Sequence, residues 1–254
     1  LNSFASVAHR SVVFDELFYL QLGLGLRRPG RRREEGVPFR PARQRLAARM
    51  RELLPFKLTG AQERVLREID QNMSSGQAMQ RLVQGDVGSG KTMVAWLASL
   101  PVIENGYQVV WMAPTELLAE QHFHNVSRYA DALGTKSALL TGSQAAKDRK
   151  ATLEGIAGGQ IQFVVGTHAL IQEGVSVPKL GLGVIDEQHR FGVMQRLSLQ
   201  RLLSADSGTA PIGKQPHMLL MSATPIPRSL AMVLYGDMEV SFLDEMPPGR
   251  LPIQ

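Results

Sequence analysis

The stretch Gly85-Asp86-Val87-Gly88-Ser89-Gly90-Lys91-Thr92 limits what this chain can be more than any other feature. It fits G-x-x-x-x-G-K-[ST], between a short apolar run (81–84) and a stretch suited to a helix (91–104). Strand, glycine loop and helix together form an anion cradle. Glycines let backbone N–H groups turn inward on phosphate oxygens, and the helix N-terminus adds its dipole. Lys91 would reach the β and γ phosphates of a nucleoside triphosphate, and the Thr92 hydroxyl would hold Mg²⁺. Gly85, Gly88, Ser89 and Gly90 supply the backbone of the cradle. Pro101 lacks an N–H and should kink or shorten the helix that follows.

The surrounding pattern suits such a cradle. Short apolar segments at 81–84, 108–113, 137–141, 162–167, 182–186 and 218–224 alternate with helical stretches at 91–104, 115–132, 144–158, 189–204 and 227–235. Several strands are apolar at successive residues, as strands covered on both faces are. The fold class is therefore α/β, a mostly parallel sheet with helices on each side. Thr59-Gly-Ala-Gln62 fits a capping box opening a helix from 60 to about 71. A shorter helix is expected over 42–53, with Leu46, Met50, Leu53 and Leu54 on one side, and an earlier one over 12–26. Residues 27–38 and 204–216 read as exposed connections.

Asp186 and Glu187 close an apolar strand. Ligands of nucleotide-binding α/β domains sit at the carboxyl ends of the strands. There Asp186 would hold Mg²⁺, and Glu187 would orient and deprotonate a water. Alone, such a pair is usually a solvated turn; together with the phosphate loop it marks a hydrolytic site. His189 is close enough in sequence to sense the γ-phosphate, although a lone histidine is usually structural.

Charge narrows the partners. Residues 1–50 hold ten arginines, no lysine and four acids, while the remainder carries 18 basic and 19 acidic side chains. A uniformly basic nucleic-acid coat is thus excluded, and the arginine run at 27–33 is either a solvated linker or a phosphate contact. The absence of cysteine excludes disulfides and thiolate catalysis. No apolar run is long enough to span a membrane.

In order along the chain, FKLTGAQ (56–62), GDVGSGKT (85–92), APTELLAEQH (113–122), TGS (141–143), VGTHAL (165–170), DEQH (186–189) and SATPIPRSL (222–230) resemble the motifs of the superfamily 2 helicases. The resemblance covers about three quarters of the chain. Within that superfamily the text is most similar to bacterial helicases that remodel branched DNA, such as forks and Holliday junctions, in recombination and repair. Gln188, Ser89 and MPPGR set it apart from transcription-repair coupling translocases, the alternative reading; a non-catalytic nucleotide-dependent DNA-binding module is a third.

The resemblance implies a RecA-like domain over 51–254, led in by a helical, arginine-rich linker over 1–50. It also implies ATP and Mg²⁺ as cofactors, a monomeric motor in the bacterial cytoplasm, and a wedge domain and second RecA-like domain as partners. Gln62 would read the adenine edge, with Phe56 near the base. His189 would link nucleotide state to Ser222 and Thr224. Thr115, Glu116, Thr141, Gly142, Thr167 and His168 would lie along the DNA. Each has a plainer reading: Thr59 and Gln62, or Thr115 and Glu116, as helix N-terminal residues, and Ser222 and Thr224 as the end of a core strand. A chain with one RecA-like domain is expected to bind Mg-ATP weakly and hydrolyse it slowly. Its first residue, Leu rather than Met, is consistent with a longer parent.

Overall fold

The structure is a computed structural model that describes residues 35–39, 45–172, 174–187, 214–224 and 238–247. The expected helices over 12–26, 189–204 and 227–235, the arginine run, Gln188 and His189 lie outside these residues. In chain order the elements are α1 (Arg45–Leu53), α2 (Gly60–Ser74), β1 (Gln80–Gly85), α3 (Lys91–Glu104), β2 (Gln108–Met112), α4 (Glu116–Leu133), β3 (Ser137–Leu140), α5 (Ala146–Ala157), β4 (Phe163–Gly166), a 3-10 turn (His168–Ile171), β5 (Leu180–Asp186), β6 (His217–Ser222) and β7 (Glu239–Leu243).

The strands form one sheet in the order β3-β4-β2-β5-β6-β1-β7, and every pairing is parallel. Side-chain alternation divides its two faces. Val109, Trp111, Phe163, Val165, Val184, Leu219 and Met221 meet Met50, Val65, Ile69, Trp96 and Val126 from α1–α4. Val110, Met112, Val164, Ile185 and Leu220 meet Ile156 of α5, Leu170 of the 3-10 turn and Val177. Full burial of β2 and β5 explains their continuous apolar runs.

Four local expectations change. β7 was not anticipated: a short strand at the sheet edge, its buried positions alternate and give no apolar run. Pro101 does not shorten α3, which continues to Glu104. It sits in the last turn, where it deletes one ladder bond, and its own carbonyl accepts from Asn105 N and Nδ2 at 3.1 and 2.7 Å. Leu53, the final residue of α1, is exposed, while Met50 is buried and accepts a bond at Sδ from Trp96 Nε1 at 3.4 Å.

The fourth concerns two stretches read as exposed connections, which are docked at their described ends. Gly36 N bonds Gly76 O, and Gln215 N bonds Glu35 O at 2.7 Å. A Cβ on Gly36 would meet Ala78 N at 2.6 Å, so glycine permits this approach. Val37, Phe39 and Pro216 are buried. His217 explains the anchoring. Fully buried, it accepts at Nδ1 from Met79 N (2.9 Å) and donates at Nε2 to Val37 O (2.7 Å), while Phe39 packs against its ring and Tyr107. Burial pushes the His217 pKa below its usual value.

Candidate functional site

The sheet gathers the singled-out residues at its carboxyl edge. β1 ends at Gly85 and runs into the glycine loop. A Cβ on Gly85 would meet Ser89 Oγ at 2.6 Å and Leu243 Cβ at 2.8 Å, and Gly88 and Gly90 both have φ of 87°. A Cβ on Gly90 would collide with Gln62 Nε2. The glycines are therefore required by both backbone shape and close packing. Lys91, first residue of α3, folds back over the loop and donates from Nζ to Gly85 O at 2.6 Å and Asp86 O at 2.9 Å. Burial lowers its pKa, and the carboxylates of Glu187, Asp186 and Asp86 oppose that shift. The loop ammonium and the acidic strand end thus belong to one electrostatic site.

That site comes from strands that are not neighbours, because β6 lies between β1 and β5. Asp186 ends β5 and is buried. Glu187 follows in the left-handed region, with φ of 49°, the positive-φ non-glycine residue among the described residues. Such a conformation is costly for a residue that carries a Cβ and tends to occur where function fixes it. Its N–H donates to Met221 O at 3.0 Å, and its Oε1 accepts from Ala223 N at 3.2 Å. The acid is thereby tied to Ser222-Ala223-Thr224. There Ser222 and Thr224 hydroxyls lie 2.9 Å apart, and Gln84 Nε2 donates to Thr224 O at 2.8 Å.

Gln62 and Thr59 form the expected capping box on α2. Gln62 Oε1 accepts from Thr59 N at 2.9 Å, and its Nε2 donates to Ser89 O at 2.8 Å, so both ends of the amide are engaged within the protein. Phe56 is exposed nearby in sequence. The first turn of α2 is also met by Glu245, whose Oε2 accepts from Ala61 N at 3.1 Å, and Arg64 donates to Phe242 O and Asp244 Oδ1 at 2.9 and 2.7 Å.

The six DNA-contact candidates also assemble, at the carboxyl ends of β2, β3 and β4. Thr115 caps α4 by accepting from Leu118 N. Glu116 is turned sideways: its Oε1 accepts from Gly142 N (2.8 Å) and Ser143 N (3.1 Å), and its Oε2 from Ser143 Oγ (2.7 Å). The Ser143 hydroxyl chiefly, then these backbone donors, holds the Glu116 carboxyl below its usual pKa, helped by His168. Thr141 and Thr167 are buried, Gly142 and His168 exposed. Arg149 joins the loop after β3 to the residue that follows the 3-10 turn, donating to Thr141 O and Gln172 Oε1 at 3.3 and 3.0 Å.

Sequence reasoning passed over His122, Gln84, Arg149 and Glu245. His122 left a trace. It falls in register with Ala119 and Val126 on the buried stripe of α4, an odd place for an imidazole. The others had none, since their partners are distant in sequence.

The site suits Mg²⁺ by the chemistry of its donors. Thr92 and Asp186 offer hard oxygens, and a cation held through one or two protein oxygens plus substrate phosphates is the usual Mg²⁺ arrangement.

Comparison with known proteins gives a consistent picture. Residues 59–233 match the DEAD/DEAH box helicase family. The chain is similar to the ATP-dependent DNA helicase RecG of Aquifex aeolicus (strain VF5), 48% identical over 98% of this chain and 30% of that protein. It is 49% identical to the protein of the same name from Escherichia coli (strain K12), over 97% of this chain and 34% of the relative. A solved structure of RecG bound to a three-way DNA junction superposes with a TM-score of 0.76 at 43% identity, covering 95% of this chain and 31% of that one. The chain therefore spans about a third of the length of the relatives it matches.

Proposed function

The chain belongs to the DEAD/DEAH box helicase family, and from that premise we propose that it is the ATP-binding half of a RecG-type DNA helicase acting on branched DNA. The observation that carries this reading is the convergence of Lys91, Asp186 and Glu187 on one site. A non-catalytic sensor has no need of the third. Residues 51–254 would form the motor unit and 1–50 its lead-in, although Val37, Phe39 and Met50 already contribute to the motor's core.

In this mechanism Lys91 exchanges its carbonyl partners for the β and γ phosphates of ATP, and the loop N–H groups take the remaining oxygens. Thr92 and Asp186 would hold Mg²⁺, which when bound offsets charge on the phosphate oxygens. Glu187 accepts the proton of the attacking water. Its N–H donates to Met221 O and its Oε1 accepts from Ala223 N, so a change in its charge would be felt by the Ser222–Thr224 turn. His189 would report the terminal phosphate to the same turn. Gln62 would read the adenine edge once its amide leaves Ser89, with Phe56 alongside. Thr115, Thr141, Gly142, Thr167 and His168 would meet the DNA backbone. Contacts to phosphate position a strand without reading bases, so binding follows branch structure rather than sequence.

Two substitutions test the reading in the full-length protein. Lys91→Ala removes charge-assisted phosphate contacts, worth about 1.5–3 kcal/mol each, and should weaken ATP binding by roughly 10–100-fold. Glu187→Gln should leave binding intact and lower turnover by about 10²–10⁴-fold. Normal turnover by Glu187→Gln would refute the general-base role. The isolated chain should hydrolyse ATP slowly, since an arginine finger from a second domain contributes about 10³–10⁵ in rate. ATPase stimulation by fork and Holliday-junction DNA above linear duplex is expected; equal stimulation favours the coupling-type translocase.

A further inference from the structure

On α4, Glu116 and His122 both reach out of the helix, in different directions. Glu116 binds the loop after β3. His122 turns under the sheet edge, where its Nε2 lies 2.7 Å from Asp186 Oδ2. Both residues are buried, at 8% exposure each. For the ionised carboxylate that a cation ligand requires, Oδ2 is the acceptor and Nε2 the donor of this bond. The imidazole ring is tilted against Trp111, with centroids 5.1 Å apart. Trp111 packs edge-on to Phe163 at 6.0 Å, and Phe163 edge-on to Trp96 at 4.9 Å. Trp111 thus backs the imidazole and is itself held by the Phe163 and Trp96 rings, and it stands beside Val184 on the strand that ends in Asp186.

This arrangement is more than core packing needs. A histidine wholly within an apolar stripe would be replaced at less desolvation cost by leucine. Here the stripe is interrupted to place one donor on the carboxylate that the proposed function assigns to the cation. Groups that hydrogen-bond a metal-ligating carboxylate orient it, and their loss typically costs about 10–100-fold in metal affinity.

We propose that His122 is a positioning residue for Mg²⁺ binding. It holds Asp186 Oδ2 and so fixes the plane of the carboxylate for the cation. This rests on the reading of Asp186 as the cation-holding acid. It gives α4 two duties, since one rigid helix braces the acid at the nucleotide and, through Glu116, the loop at the DNA.

The test compares nucleotide affinity with and without the cation in the full-length protein. A fluorescent ADP analogue is titrated in saturating Mg²⁺ and in EDTA, and Mn²⁺ binding to the ADP complex is read by electron paramagnetic resonance. His122→Leu should leave affinity in EDTA unchanged and weaken Mn²⁺ binding by about 10-fold or more. His122→Gln, which keeps an N–H donor at similar reach, should recover most of the loss. If His122→Leu does not fold, His122→Asn replaces it, with a polar side chain too short to reach Asp186. Mn²⁺ affinity unchanged in a folded variant overturns the proposal, as does equal loss of affinity in EDTA and in Mg²⁺. Failure of the wild type to bind nucleotide at all, or insensitivity of Mn²⁺ binding to Asp186→Asn, would instead refute the underlying assignment of the site.

Discussion

The two ends of the parallel sheet are built on opposite terms. At the amino ends of the strands the buried polar groups of the described residues are matched. His217 uses both ring nitrogens, and Gln108 donates to Ile156 O and Ile161 O while accepting from Lys179 N. At the carboxyl ends the matching is incomplete. Among the described residues, Gln84 Oε1, Ser89 Oγ, Trp111 Nε1, Gln144 Oε1 and Thr167 Oγ1 are buried without a hydrogen-bond partner. Each lies in the final turn of a strand or in the loop just beyond it. An unmatched buried polar atom costs about 1–3 kcal/mol. One edge secures the fold, and the other forgoes stability around the candidate site.

The contrast can be broken from either side. The largest effect should come from His217→Ala. It strands Met79 N and Val37 O and opens a cavity under Phe39, for a loss of about 3 kcal/mol in urea denaturation. Nucleotide affinity of the remaining folded protein should not change. The pH dependence follows from the same residue. Its folded pKa is lowered, so the native state holds His217 neutral. That contribution is complete above the ordinary histidine value of about 6.5, and it is lost as pH falls from there toward the lowered folded value. Wild type should lose up to about 1.4 kcal/mol per pH unit more than His217→Gln in that window. Equal slopes would remove His217 as the cause.

At the other edge the sign should reverse. Thr167→Val replaces an unmatched buried hydroxyl with a methyl of the same shape, and should raise stability by up to about 1 kcal/mol while lowering DNA-stimulated ATPase. Destabilisation would mean that the hydroxyl is matched after all. The smallest effect is local. Glu116→Ala should speed amide hydrogen exchange at Gly142 and Ser143 with little change in the global unfolding midpoint.

How much was legible in the sequence follows the same division. The phosphate loop, Asp186-Glu187 and the capping box at Thr59 and Gln62 each rest on residues adjacent in sequence, and each could be read. Six strands and five of the helices could be read as well, because their apolar periods are local. The docking of Glu35–Phe39 could not, since its partners lie at Gly76 and at Gln215 and His217. Glu116 was read two ways, as a DNA contact from the resemblance and as a helix N-terminal residue, and the contacts its carboxylate makes are with Gly142 and Ser143. Gln62 was read two ways, and the contacts present are the capping box together with a bond to the loop.

The strand order carries a last consequence. With β6 between β1 and β5, the strand that leads into the glycine loop and the strand that ends in Asp186 stand two ladder spacings apart, about 9–10 Å. The strand in the middle is the one that ends in Ser222, so the turn tied to Glu187 stands between the two halves of the candidate site.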